Sequence, residues 1–128
     1  MCSSDLNWIL RILTAVKNRF RLTDNCEITT ECNPGTVGGA ELECLRRSGF
    51  NRLSIGMQSA EDEQLKVLGR IHSFEDCREC VRSAKAAGFD NLSVDLMFGL
   101  PNQDSESWRY SLEQAAGLEP SQDRKSVV

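Results

Sequence analysis

The stretch that decides the fold of this chain reads Asn51-Arg52-Leu53-Ser54-Ile55-Gly56-Met57-Gln58-Ser59. Apolar residues at 53, 55 and 57 alternate with small or polar residues at 54 and 56. This period of two is typical of a β-strand whose two faces have different surroundings. The polar pair at 58 and 59 ends the alternation, so we predict a short strand over 51–58 that finishes in a polar tip.

Two similar segments flank this strand, at 27–32 and 91–97, and each is followed by a turn rich in Gly and Pro. Helical sequence separates the segments, so they cannot be hairpin partners, and we expect parallel strands with 51–58 between the other two. Each strand carries a polar residue at or near its carboxyl end, namely Glu31, Gln58 and Asp95. In a parallel β/α barrel that end of the strands carries the chemistry.

Helical patterns occupy the intervals between the strands. We predict helices over 7–20, from about 40 to Gly49, over 61–68, from Ser73 to Gly88, and from Asp104 or Ser105 to Gly117. Ser73 with Asp76 three residues later resembles a capping box. Successive polar strand ends are 27 and 37 residues apart, which are lengths of β/α units. The fold class is therefore α/β, with three β/α units of either a parallel barrel or a doubly wound sheet.

The composition narrows the classes of function. The formal net charge is −4 and basic residues form no run, which argues against a nucleic-acid partner. The sequence contains no apolar run of the roughly 18 residues that predict a membrane span. Five of the six cysteines lie outside the first six residues, and this odd number without a secretory signal is typical of a reducing, cytoplasmic setting.

Both ends of the chain resemble translated sequencing adapter, over residues 1–6 and 122–128. We expect the natural sequence to occupy 7–121, and translated adapter carries no information about the fold. Its removal takes away two acidic and two basic residues, so the net charge stays at −4. It also removes Cys2, which leaves five cysteines.

Four motifs then occur in order. They are Glu31-Cys32-Asn33-Pro34-Gly35-Thr36, the stretch 51–59, Leu68-Gly69-Arg70-Ile71-His72 and Asp95-Leu96-Met97-Phe98-Gly99-Leu100-Pro101. Together they resemble the radical S-adenosylmethionine (SAM) enzymes of the oxygen-independent coproporphyrinogen III oxidase-like family. The resemblance covers essentially all of 7–121, and Asn33 favours the heme-chaperone branch over the oxidase proper.

The resemblance implies a partial (β/α) barrel that holds a [4Fe-4S] cluster and SAM. It assigns SAM contacts to Glu31, Gln58, Arg70 and Asp95, and the chemistry suits them. Carboxylates accept hydrogen bonds from amino and hydroxyl groups, arginine can hold a carboxylate, and glutamine can do either. The family's cluster motif, Cys-x3-Cys-x2-Cys, does not occur in this sequence, and neither does its Gly-rich SAM-binding segment.

Three functions stay open at this stage. The first is a heme chaperone that binds heme and delivers it to an acceptor protein. The second is the oxidase, which decarboxylates coproporphyrinogen III in heme biosynthesis. The third is a structural piece without activity of its own, which we expect of this polypeptide taken alone because the cluster ligands are absent.

Several residues also have plainer interpretations. Cys77 and Cys80 form a Cys-x2-Cys pair inside a predicted helix, without the second pair of a zinc site or the helix-start position of a redox site, so we expect packing. Cys32 should point away from Glu31 and pack, because side chains alternate along a strand. Trp8 and Trp108 should pack on helix faces. His72 fits a loop, a cap or a site, and Glu31, Asp95 and Arg70 could be caps or surface ion pairs.

Overall fold

The computed structural model describes residues 3–120, with side chains from Asp5 onwards. The order of elements is α1 (Ser3–Arg19), β1 (Thr29–Cys32), α2 (Gly39–Ser48), β2 (Arg52–Gln58), α3 (Asp62–Val67), α4 (Phe74–Ala86), β3 (Leu92–Leu96) and α5 (Ser105–Gly117). This is the α-β-α-β-αα-β-α order that the sequence predicts. The segment 122–128, expected to be adapter, lies outside the described residues.

The three strands form one parallel sheet in the order β1-β2-β3. The predicted central position of β2 is therefore confirmed. The register places Glu31 opposite Ser54 and Ser54 opposite Ser93. Two residues further along the strands, Gly56 is opposite Asp95. A register shift follows between Gly56 and Gln58.

The alternation along β2 divides the sheet into two faces. Leu53, Ile55 and Met57 are fully buried on the apolar face, in one core with the buried leucines of α2 and with the buried face of α4. Burying a side chain of this kind contributes roughly 1.5–3 kcal/mol. The other face carries the polar residues, and the site is built on it.

Helix ends follow the local signals in the sequence. Gly49 ends α2 with φ of 116°, a left-handed conformation that glycine adopts without steric cost. Ser73 and Asp76 exchange hydrogen bonds in a complete capping box at the start of α4. Asp104, rather than Ser105, caps α5 by accepting from the backbone N–H of Ser107 at 2.8 Å.

The first helix departs from the prediction in two ways. It begins at Ser3 instead of residue 7, because Leu6 extends the buried stripe by one turn and packs in the core with Leu13. The prediction that Trp8 packs was wrong: its side chain is 60% exposed, and Arg11 lies over its ring. Trp108 does pack, edge to face against Phe98.

Candidate functional site

The candidate site lies on the polar face of the sheet, which we define by Glu31 from β1, Arg52, Ser54 and Gly56 from β2, and Ser93 and Asp95 from β3. Residues that are opposite each other in adjacent parallel strands project to the same side. The register therefore gathers these side chains from three strands onto one surface. Glu31 and Asp95 lie on this same face, on the two strands that flank β2.

Gln58 ends β2 in an unusual backbone conformation. Its φ is 65°, in the left-handed region that residues other than glycine rarely occupy. The carbonyl of Gln58 still accepts a bond from the backbone N–H of Met97 at 2.9 Å, and the N–H of Ser59 turns back to the carbonyl of Met57 at 2.8 Å. The strand thus ends in a bulge and a tight turn, both at the carboxyl edge of the sheet.

Gly56 leaves a gap on the polar face that two amide side chains fill. A Cβ atom at residue 56 would lie 3.0 Å from Nε2 of Gln58 and 3.2 Å from Oδ1 of Asn33. A side chain here would make these amides shift by a few tenths of an ångström. Gly56 therefore leaves room for the close approach of Gln58 and Asn33 above the strand.

A chain of four hydrogen-bonded side chains crosses the polar face. Nη2 of Arg52 donates to Oγ of Ser93 at 2.9 Å, Ser93 donates to Oγ of Ser54 at 3.3 Å, and Ser54 donates to Oδ2 of Asp95 at 2.7 Å. Arg52 and both serines are buried, whereas Asp95 is half-buried. Oδ2 of Asp95 is thus bonded to a buried hydroxyl of the neighbouring strand.

Arg70 lies in the loop 68–73, which connects α3 to α4. This loop is fixed at the carboxyl edge of the sheet, because Nε2 of the buried His72 contacts the carbonyl oxygen of Met57 at 3.2 Å. Of the alternatives for His72, the structure favours a loop-fixing role. Arg70 is half-buried, and no distance places its guanidinium against the polar face directly.

The side chains named from sequence are largely unpartnered. Within residues 3–120, Glu31, Gln58 and Arg70 make no side-chain hydrogen bond or ion pair, and Asp95 uses only Oδ2. The interpretation of these residues as caps or surface ion pairs therefore finds no partner in the described part of the chain. Two carboxylates and an amide remain available to a ligand at this edge of the sheet, and the guanidinium of Arg70 remains available in the loop beside it.

The cysteines behave as packing residues. Cys77 and Cys80 are buried on α4, and Sγ of Cys80 lies 3.6 Å from Sγ of Cys32, which does point away from Glu31. Burial raises the pKa of Cys77 to about 12. The hydrogen bond between the two thiols raises the pKa of Cys32 and lowers the pKa of Cys80. Among the described residues no group of three or more His, Cys, Asp or Glu could hold a metal ion.

Sequence reasoning missed Arg52, Ser54 and Ser93 as members of the site. A signal for them exists, because Arg52 and Ser54 precede Gln58 by even numbers of residues and Ser93 precedes Asp95 by two. Even spacing along a strand places side chains on one face. What the sequence does not show is the register between the two strands, which places Ser54 opposite Ser93.

Comparisons with known proteins all point to radical SAM proteins. The profile of the Radical SAM superfamily matches residues 4–115. The chain is 40% identical over 112 residues to the heme chaperone HemW of Haemophilus influenzae, covering 88% of this chain and 29% of that protein. It is 34% identical over 119 residues to the oxygen-independent coproporphyrinogen III oxidase of Salmonella typhimurium, covering 93% and 26%. The chain thus spans less than a third of the length of these relatives.

Solved structures show the same architecture. Coproporphyrinogen III oxidase (HemN) from Escherichia coli, described as a radical SAM enzyme, superposes with a TM-score of 0.84 at 33% identity, covering 95% of this chain and 28% of that one. Methylornithine synthase superposes with a TM-score of 0.78 at 23% identity, covering 97% and 34%, which shows the fold alone. The three-stranded sheet is therefore part of a radical SAM barrel. In the part of the chain that the structure describes, no helix is long and apolar enough to cross a membrane.

Proposed function

The chain belongs to the radical SAM superfamily, and on this premise we propose that it is part of a longer cytoplasmic heme chaperone. The superfamily implies a [4Fe-4S] cluster and SAM. Heme binding and delivery to an acceptor protein are proposed because the heme chaperones of Haemophilus influenzae and Escherichia coli are 40% and 41% identical to this chain. The five free thiols among the described residues suit a reducing compartment.

The observation that carries the SAM assignment is the set of unpartnered polar groups at the carboxyl edge. We assign SAM contacts to Glu31, Gln58, Arg70 and Asp95. The donor set fits the ligand, because carboxylates accept from its amino group and hydroxyls, and a guanidinium pairs with its carboxylate. Oδ1 of Asp95 has no hydrogen-bond partner among the described residues, which leaves it available for this purpose.

The chemistry that SAM supplies when it is bound is radical chemistry, and the protein's task is to bind and orient it. Glu31 and Asp95 would fix donor groups of the ligand, and Gln58 would close over it from the bulge. The described residues do not fit the cluster itself, since they form no metal-holding group.

The oxidase is the second candidate. It is favoured by the superposition on coproporphyrinogen III oxidase at a TM-score of 0.84. The chaperone is favoured by the higher sequence identity and by Asn33, which lies against Gly56 within the site. The two candidates share the SAM assignment and differ in what the complete protein does with a porphyrin.

The test uses the full-length protein, obtained by extending the gene sequence beyond both ends of this chain and reconstituted without oxygen. Isothermal titration with SAM should show that Glu31→Gln and Asp95→Asn each raise the Kd by about tenfold or more, because each removes a charged acceptor. Glu43→Gln, at an exposed position of α2, is the matched control and should leave the Kd unchanged. Unchanged affinity in both site variants would refute the assignment of SAM to this edge.

A second measurement separates the candidate functions. Titration with heme, followed by absorption spectroscopy, should give saturable binding to the full-length protein. Incubation with coproporphyrinogen III under reducing conditions, followed by chromatography of the porphyrins, should give no decarboxylated product. Product formation without heme binding would instead identify the oxidase.

A further inference from the structure

The hydrogen-bonded chain on the polar face has a direction that chemistry imposes. Arginine carries donors only, and an ionised carboxylate carries acceptors only. A serine hydroxyl has a single proton to give. With Arg52 at one end and Asp95 at the other, Ser93 and Ser54 must therefore each accept from the side of Arg52 and donate towards Asp95.

The chain is also well protected from water. Arg52 and Ser54 are each 6% exposed, and Ser93 is fully buried. Hydrogen bonds in such surroundings are stronger than in water, and consecutive bonds polarise one another. The buried guanidinium has one ion pair, at 3.8 Å to Glu27, whose side chain is 58% exposed, so this pair compensates the charge weakly.

We propose that Ser54 is a positioning residue for the carboxylate of Asp95, supported by Ser93 and Arg52. The Ser54 hydroxyl holds Oδ2 at 2.7 Å, which fixes the rotation of the carboxylate and keeps Oδ1 free for the ligand. Ser54 is opposite Ser93, two residues before the pair of Gly56 and Asp95, so it lies further from the carboxyl edge than Asp95. It therefore acts through the carboxylate and does not contact the ligand. This inference rests on the proposed SAM assignment, in which Ser54 sets the orientation of the Asp95 carboxylate.

The test is a double-mutant cycle in the full-length protein, with the Kd for SAM measured by isothermal titration. Ser54→Ala should raise the Kd by about five- to tenfold, since it removes a hydrogen bond to a charged group. In the Asp95→Asn background the same change should raise it less than twofold, because the carboxylate that Ser54 orients is gone. Ser54→Thr keeps the hydroxyl and should restore most of the affinity.

The control is Ser48→Ala, which removes a hydroxyl that bonds only to the carbonyl of Cys44 within α2. Its Kd should equal that of the unchanged protein. Equal losses from Ser54→Ala in both backgrounds, or no rescue by threonine, would show that Ser54 has a general structural role and would overturn the inference. If Asp95→Asn weakens SAM binding and Ser54→Ala does not, the inference alone fails. If Asp95→Asn has no effect, the inference fails, and the assignment of SAM to this edge fails with it when Glu31→Gln also has no effect.

Discussion

Because Gln58 has a left-handed backbone, two substitutions at this position can separate its effect on the stability of the protein from its effect on SAM binding. We compare Gln58→Gly with Gln58→Ala in the full-length protein. Both changes remove the amide that lies above Gly56, so both should weaken SAM binding to the same extent. Only the glycine variant also relieves the backbone, because φ of 65° is strained for alanine and not for glycine.

The expected difference in stability follows from two opposing terms. Left-handed backbone costs a residue with a Cβ about 1–2 kcal/mol. Glycine loses about 0.4–1 kcal/mol relative to alanine, because its unfolded chain has more conformations to give up. The midpoints of these two ranges differ by about 0.8 kcal/mol, so the glycine variant should be more stable than the alanine variant by about that amount. In a protein of several hundred residues this corresponds to an increase in Tm of about 1–2 °C.

Thermal unfolding of the two variants, measured by circular dichroism without oxygen, gives the stability, and titration with SAM gives the affinity. Asn102, with φ of 62° in the loop after β3, supplies the comparison. Its glycine variant should also exceed its alanine variant in Tm, while both bind SAM as the unchanged protein does. If the two Gln58 variants unfold at the same temperature, the inference of a strained bulge at the end of β2 is wrong.

Three further outcomes are expected. Replacing Cys77 and Cys80 together by alanine should leave the iron content of the reconstituted protein unchanged, and loss of iron would contradict their packing role. Burial raises the pKa of Cys77 from 9.0 to about 12, so the folded chain keeps this proton at pH values where the unfolded chain loses it. The free energy of unfolding should therefore fall as the pH rises from 9.0 towards 12, by up to about 1.4 kcal/mol per pH unit. In alkaline denaturation the Cys77→Ala variant should show a shallower fall. An equal fall in both proteins would contradict the raised pKa of Cys77. Ser73→Ala should lower the free energy of unfolding by about 1 kcal/mol, because it breaks the capping box of α4. Urea denaturation measures this, with Ser83→Ala inside the same helix as the control. Equal stability of the two variants would contradict the capping role.

Most of the fold was predictable because its signals are local. The period of two in 51–58, the glycine after α2 and the Ser73 cap each depend on a few neighbouring residues. The two features that sequence reasoning missed depend on pairing between distant segments. Ser54 meets Asp95 across 41 positions, and the bulge at Gln58 exists only because β3 pairs with β2. The exposure of Trp8 likewise depends on which helices pack beside α1.

The bulge explains why the strained residue at the tip of β2 is also the residue named for the site. The register shift places Gln58 opposite Leu96, whose side chain is buried on the apolar face. Alternation along β2 places Gln58 on the polar face with Ser54 and Gly56, whereas pairing with Leu96 in a regular ladder would place it on the apolar face, among the helices. The register shift between Gly56 and Gln58 removes this conflict, and the amide of Gln58 lies against Gly56 on the polar face, at a residue with positive φ. Strain of this kind persists where the surroundings impose it, and it is concentrated at functional sites. Here the bulged residue places its amide on the side of the sheet that carries Glu31 and Asp95.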